Sequence, residues 1–149
     1  MSVQPAGSMR IVRYFVEPTI KLWQAWTDPE LVRLWFGSDP NGVVSQARLD
    51  VQVGGKFEVT FANADMKEYT CYGVYQEVEP YSKLLFSWSW RNTPDIEELV
   101  RVVFREDRSG TLMTFEHSNI DPNTSHGYET GWSSTFDKLE KALKSKERH

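Results

Sequence analysis

Residues 84–90 read LLFSWSW, and large apolar side chains alternate in this stretch with mostly smaller ones. Leu84, Phe86, Trp88 and Trp90 recur with the period of two that places side chains on one face of a β-strand. One face of this strand is therefore bulky and aromatic. Such a face either packs in a core or lines a cavity, and each Trp brings an N–H group that needs a partner.

The segments on both sides continue this pattern. Alternating apolar residues predict strands over 10–16, 43–51, 57–61, 69–79, 99–105 and 111–117. Turn-forming residues separate them at Gly54-Gly55, at 63–67, 80–83 and 107–110, and in a polar loop from Asn92 to Glu97. Gly73 inside a strand predicts a bulge or a sharp bend. Short connections join antiparallel strands, so we predict a curved antiparallel sheet of six to seven strands.

Two short helices are predicted after the first strand. Pro18 suits a first helical turn, and apolar side chains follow at helical spacing at Ile20, Trp23 and Trp26. A second short helix runs to about Trp35. Its cap is either Thr27, which has capping-box spacing to Glu30, or Asp28, because Pro29 suits the first helical position.

The last segment changes period. Trp132, Phe136, Leu139 and Leu143 form one helical stripe, which predicts a long helix from about Gly131 to Lys144. An earlier start at Asp121-Pro122 is an alternative, against which Gly127 and Gly131 count. One long helix over the apolar face of an antiparallel sheet makes an α+β fold.

Composition excludes several classes of protein. The chain has 149 residues, which fits one domain. Its 17 basic and 21 acidic residues give a net charge of −4, which argues against non-specific binding of nucleic acid. No apolar run approaches the roughly 20 residues of a membrane span. The lone Cys71 excludes an internal disulfide and predicts a reducing, cytoplasmic location.

Five elements in order carry a resemblance to a known family. They are Thr27-Asp28-Pro29-Glu30 with Trp35; Gly54-Gly55-Lys56-Phe57; Gly73 with Glu77-Val78-Glu79-Pro80 and the stretch from Leu84 to Trp88; Gly110 to Ser118; and Gly131-Trp132. The chain resembles the family of the activator of heat-shock-protein-90 ATPase homologues, within the START-like (SRPBCC) helix-grip superfamily. Ser87, where a Thr is usual, is a mild departure.

The resemblance implies a helix-grip domain over residues 10–145, with a cavity between the long helix and the sheet. It leaves a flexible arm over 1–9 and a frayed tail over 146–149. Met9 is an alternative to Met1 as the natural start. The many Trp and Tyr residues could narrow the cavity.

His117 raises the question of a metal site. Glu116 precedes it, and Asp121 and His126 follow. A metal centre needs three or four converging ligands, whereas Glu116 and His117 point to opposite faces of a strand. We expect no metal. His117 either bonds within the cavity wall or at the strand end, or it anchors a polar group of a ligand.

No other pattern demands catalysis. Cys71 lies in a predicted strand far in sequence from any His, so it lacks an activating base. Gly54-Gly55 precedes a strand rather than a helix, which indicates a hairpin turn rather than a phosphate loop. Glu97-Glu98 fall in a predicted loop. We therefore name no catalytic residue and no cofactor.

Three functions compete. The first is binding of a lipophilic small molecule of the lipid, sterol, flavonoid or quinone type. Its candidate contacts are Phe57, Trp88, Trp90, Phe104, Phe115, His117, Trp132 and Phe136. The second, implied by the resemblance, is protein interaction with a chaperone contact, which an exposed aromatic patch would favour. The third is a START-like enzyme such as a cyclase or hydrolase, which a charged pair deep in the cavity would favour.

Overall fold

The computed structural model describes residues 7–120 and 128–146. Residues 1–6 of the arm predicted over 1–9, and residues 147–149 of the predicted tail, lie outside this range. The elements in chain order are β1 (Met9–Phe15), α1 (Thr19–Thr27), α2 (Pro29–Val32), β2 (Val43–Leu49), β3 (Lys56–Ala62), β4 (Glu68–Glu79), β5 (Lys83–Trp90), β6 (Thr93–Asp107), β7 (Gly110–Ser118) and α3 (Tyr128–Lys146).

The described strands form one seven-stranded antiparallel sheet in the order β1-β7-β6-β5-β4-β3-β2. Strands β2 to β7 are neighbours in the order of the chain, as hairpins require. Strand β1 instead pairs with β7, with Met9 opposite His117 and Phe15 opposite Thr111. With α3 across one face, this is the helix-grip arrangement that the resemblance implies, and the predicted α+β fold class is confirmed.

The prediction for the start of β6 was wrong. The expected polar loop from Asn92 to Glu97 is mostly strand. The chain reverses direction at Arg91-Asn92, and β6 begins directly afterwards with Thr93 paired to Trp90 of β5. The pairing register between β5 and β6 shifts between Trp88 and Trp90, as it does where one strand contains a β-bulge. The polar side chains reflect solvent exposure at this end of the strand rather than a loop.

The short helices follow the prediction in position but differ in detail. Asp28 is the cap of α2, since its Oδ1 accepts a hydrogen bond from the Glu30 backbone N–H at 2.9 Å. In α1 the buried face consists of Leu22, Ala25 and Trp26, whereas Ile20 is 45% exposed. The predicted α1 stripe was thus wrong at Ile20, because this helix packs on β6, β7 and α3 with the adjacent face.

The α3 stripe is confirmed, because Trp132, Phe136, Leu139 and Leu143 are all buried. The helix begins at Tyr128, three residues earlier than predicted, so Gly131 lies inside it. The alternative start at Asp121-Pro122 lies outside the described residues. Within the described part of the chain, no helix combines the length and apolar character that a membrane crossing requires.

Candidate functional site

A cavity of about 190 Å³ opens between the N-terminal half of α3 and the helix-covered face of the sheet. Six aromatic residues form most of its wall: Phe36, Phe61, Trp88, Trp90, Tyr128 and Trp132. Gly37, Ser38, Gly131 and Thr135 complete the lining. The cavity therefore has the mainly apolar walls and few polar groups that are typical of small-molecule sites.

Trp88 is the hub of the aromatic wall. Its ring lies 5.3 Å from the rings of both Trp90 and Trp132, centroid to centroid, with edge-to-face geometry. Phe36 stacks on it at 6.0 Å. Edge-to-face and stacked contacts of this kind add to the stability that burial of apolar area alone provides. The aromatic contacts around Trp88 therefore stabilise the wall.

The rim of the cavity is a loop after α2 that α3 holds in place. The Ser134 hydroxyl donates to the Ser38 carbonyl at 2.7 Å, and the Lys138 ammonium donates to the Asp39 carbonyl at 2.9 Å. Burial lowers the pKa of Lys138, and nearby Asp39 opposes this effect. Gly37 has a φ of +103°, and a Cβ there would meet the Phe61 ring at 3.1 Å, so this position requires glycine.

A buried polar network lies behind the wall. The Trp132 indole N–H donates to His117 Nδ1 at 3.1 Å, and His117 Nε2 lies 2.8 Å from Glu98 Oε1. The Tyr128 hydroxyl donates to the same Glu98 oxygen at 2.9 Å and accepts from the Trp90 N–H at 2.7 Å. This Trp132–His117–Glu98–Tyr128–Trp90 network joins β5, β6, β7 and α3.

The donors fix the tautomer of His117. An indole nitrogen only donates, so Nδ1 must accept. The ring proton is then on Nε2, which donates to the Glu98 carboxylate. Both ring nitrogens are engaged, and His117 therefore has no lone pair to offer a molecule in the cavity.

Two polar groups lie beside the aromatic wall, the Tyr128 hydroxyl and the Trp88 N–H. Burial, reinforced by the Glu98 carboxylate, raises the pKa of Tyr128 above its usual range, so its hydroxyl stays protonated. The Trp88 N–H is buried and makes no hydrogen bond of normal geometry within the described residues. It lies close enough to the Tyr128 hydroxyl to affect that group's pKa. The Trp88 N–H is therefore sheltered beside the Tyr128 hydroxyl rather than exposed to the cavity.

The sequence-predicted contacts separate into three groups. Trp88, Trp90 and Trp132 line the cavity. His117 lies behind the wall in the polar network, with its side chain fully buried. The remaining four residues do not line the cavity: Phe57, Phe104, Phe115 and Phe136.

Those four pack in the interior. Phe115 and Phe136 are fully buried, with ring centroids 5.1 Å apart. Phe104 lies under α1 near Trp23. Phe57 borders a small interior void of about 20 Å³ and a separate cleft of about 520 Å³ that does not include the aromatic cavity. They share the covered face with the cavity but lie further along the sheet.

Sequence reasoning missed Phe36, Phe61, Tyr128 and Glu98. The interpretation of Glu98 as a loop carboxylate was wrong, because it lies in β6 with 1% exposure. A signal was available: counting back in twos from the apolar Val102 and Val100 places Glu98 on the inward face. Phe61 likewise extends the Phe57 alternation, whereas nothing in the sequence marks Tyr128.

The other candidates for chemistry are structural. Cys71 is buried in β4, and burial raises the pKa of its thiol, which opposes thiolate formation. Glu116 points away from His117 toward Arg101, as the strand geometry predicts. Residues 7–120 and 128–146 contain no cluster of three or more potential metal ligands; Asp121 and His126 lie outside them.

Solved structures share this fold. A protein from Nitrosomonas europaea has a TM-score of 0.85 at 22% identity, covering 99% of this chain and 100% of its own. An AHSA1-like protein from Aeromonas hydrophila has a TM-score of 0.78 at 22% identity, covering 95% of both chains. A protein from Rhizobium leguminosarum has a TM-score of 0.77 at 24% identity, covering 93% and 94%. At these identities the likeness is one of fold.

Comparison with curated proteins found no match. Comparison with protein families found one that spans most of the domain, from the start of α1 through almost the whole of α3. Residues 18–144 match the family described as Activator of Hsp90 ATPase homolog 1-like protein. Because this match covers most of the chain, with all three helices and strands β2 to β7, the chain belongs to that family.

Proposed function

We propose that the protein binds an apolar or amphipathic small molecule in the aromatic cavity and does not transform it. The observation that carries the proposal is the aromatic-walled cavity itself. An apolar cavity of about 150 Å³ takes up benzene. A volume of about 190 Å³ therefore suits one or two fused rings better than a sterol skeleton.

The buried Glu98–His117 pair does not support the enzyme alternative. A general base needs a free lone pair within reach of the substrate, and both nitrogens of His117 are already bonded. We assign the pair to positioning of α3 and the cavity wall.

A calorimetric titration with coumarin and naphthalene tests the proposal. Both are two fused rings, but only coumarin has a carbonyl acceptor. We expect both to bind, and Trp88→Phe, which shrinks the central ring of the wall, to weaken both by a similar factor because the lost contacts are those of the indole ring. Trp23→Phe, a change outside the cavity next to Tyr81, is the matched control.

Thermal unfolding provides a second measurement. A ligand at a hundredfold excess over its Kd stabilises the native state by about 2.7 kcal/mol, which corresponds to a rise in Tm of about 5–10 °C for a domain of this size. Trp132→Ala, which removes part of the wall, should reduce this rise. If fused-ring compounds, fatty acids and quinones all leave Tm and tryptophan emission unchanged, the proposal fails.

One observation favours protein interaction as a second candidate. On edge strand β1 the side chains of Val12 and Tyr14 lie on the face opposite α3 and are 53% and 36% exposed. The family's description points to a chaperone of the Hsp90 type as the partner. Stimulation of such an ATPase by this protein, lost on Val12→Glu, would favour this candidate over ligand binding alone.

A further inference from the structure

A second cleft adjoins the aromatic cavity. It has a volume of about 360 Å³ and shares Ser38, Phe61, Trp90 and Tyr128 with the cavity lining. These four shared residues place the two spaces, the inner cavity and this outer cleft, next to each other, which is the arrangement that a single molecule occupying both requires.

The other lining residues come from one end of the sheet. Asn63 follows β3, Tyr69 lies near the start of β4, and Asn92 and Thr93 lie where β5 turns into β6. The side chain of Tyr69 is 37% exposed, and its ring lies 6.3 Å from that of Trp90. The outer cleft thus combines aromatic surfaces with polar side chains, in contrast to the inner cavity.

Two polar side chains of the outer cleft are available to form hydrogen bonds with a ligand. Across the described residues, no protein hydrogen bond engages the side-chain amides of Asn63 and Asn92. An amide has two donors and an acceptor, so each can bind a hydroxyl as either partner. Aromatic rings present apolar surface to the C–H face of a sugar.

The described residues that line the outer cleft carry no charge. None of its eight lining residues is acidic or basic. Arg91, next to Asn92 in sequence, is engaged with Glu58 of β3. A charged substituent would therefore gain no ionic partner from these eight residues, whereas hydroxyl groups can bond to the Asn amides.

We infer that the molecule bound by this protein is an aromatic compound with an uncharged hydroxylated substituent such as a sugar, its rings in the inner cavity and its hydroxyl groups in the outer cleft. This inference rests on the proposed function. It names a class of ligand, aromatic glycosides, that apolar binding alone does not imply.

Matched compounds test the inference. We compare 4-methylumbelliferone with its β-D-glucoside and its β-D-glucuronide by calorimetric titration. The glucoside should bind at least tenfold more tightly than the free aromatic compound, and the charged glucuronide should not. Asn63→Ala and Asn92→Ala should each weaken glucoside binding by about threefold to tenfold and leave the free compound unaffected. Asn41→Ala, on the loop outside the cleft, is the control.

The outcomes separate the two proposals. If the free compound binds but the glucoside gains no affinity, or if the Asn variants weaken both compounds equally, the outer cleft is not a sugar subsite and this inference is overturned. If the glucuronide binds as tightly as the glucoside, the uncharged class is wrong. If neither the free compound nor the glucoside binds, the proposed function itself fails.

Discussion

Glu98 and His117 form the polar centre of an otherwise apolar face. A buried carboxylate is costly unless it is paired and hydrogen-bonded. Here one oxygen of Glu98 receives hydrogen bonds from both His117 and Tyr128. Because Tyr128 and Trp132 belong to α3 and the pair belongs to the sheet, the network fixes where the helix lies over the cavity.

Removing the acceptor should destabilise the fold. Glu98→Ala leaves His117 and Tyr128 with unsatisfied buried donors, so we expect a loss of about 3–5 kcal/mol in the free energy of unfolding, measured by urea denaturation. Glu98→Gln retains an acceptor oxygen and should cost less. Glu97→Ala changes the exposed neighbour and should stay within about 0.5 kcal/mol. Equal losses for the changes at 98 and 97 would contradict this role.

For Glu98 and His117, the sequence predicts the face of the sheet on which each side chain lies but not the groups that each side chain contacts. Strand period places both Glu98 and His117 on the inward face. It does not reveal that β6 reaches back to Thr93, and so the carboxylate was assigned to a loop. The pairing of Val100 with His117, which brings the two side chains together, is a property of the sheet register.

Helix α3 combines two roles along its length. Tyr128 and Trp132 line the cavity, whereas Phe136 and Leu139 are fully buried in the core. The cavity therefore occupies only the N-terminal half of the helix–sheet interface, and the other half supplies stability.

Truncation in the packed half tests this division. Phe136→Ala should cost about 3–5 kcal/mol of unfolding free energy, because the ring is packed and a cavity would remain. Urea melts measure the loss, with exposed Ser133→Ala on the same helix as the control. A loss below 1 kcal/mol would mean that the ring borders open space after all.

An ionic contact between β1 and α3 should make stability depend on pH. Arg13 donates to Asp137 at 2.7 Å and to Glu140 at 3.1 Å. The bonds from Arg13, and then from Lys144, lower the pKa of Glu140. A lowered carboxyl pKa means stabilisation that is present above the unfolded-state pKa of about 4.3 and is lost as the pH falls through the folded-state value.

The variant Glu140→Gln isolates this effect. It should be less stable than the natural protein at pH 7, and the difference should vanish in acid, below the ordinary pKa of a glutamate. Thermal melts at pH 7, 4 and 2 measure it, and added salt should reduce the difference at pH 7. A difference that persists unchanged at pH 2 would assign the effect to packing instead.

The elements themselves were largely predictable, since period two and period 3.6 differ strongly in this chain. The errors fall at the ends of elements. Thr93 to Glu97 are polar because they are exposed, and polarity alone does not distinguish an exposed strand end from a loop. Ile20 fits the helical spacing, but the neighbouring face of α1 meets the sheet.

The fold of the whole chain was predictable from the sequence, whereas the cavity was predictable only in part. Strand period assigns Phe57, Phe104 and Phe115 correctly to the face that α3 covers. It does not give the position along the sheet at which helix and sheet separate. That separation depends on the loop after α2, where α3 holds Ser38 and Asp39 through hydrogen bonds to their carbonyls, and long-range contacts of this kind leave no periodic trace.

The pairing of β1 with β7 has a consequence for folding during synthesis on the ribosome. Strands β2 to β7 pair with their neighbours in the chain and can form hairpins as they leave the ribosome. Met9 of β1, in contrast, cannot pair until His117 of β7 has been synthesised. At about 5–20 residues per second, that wait is on the order of 5–20 s. During this time the edge of β1 and the apolar side chain of Phe15 have no partner strand. Contacts of such high sequence separation also slow folding, so we expect β1, the first of the described strands to be synthesised, to be the last of them to enter the sheet.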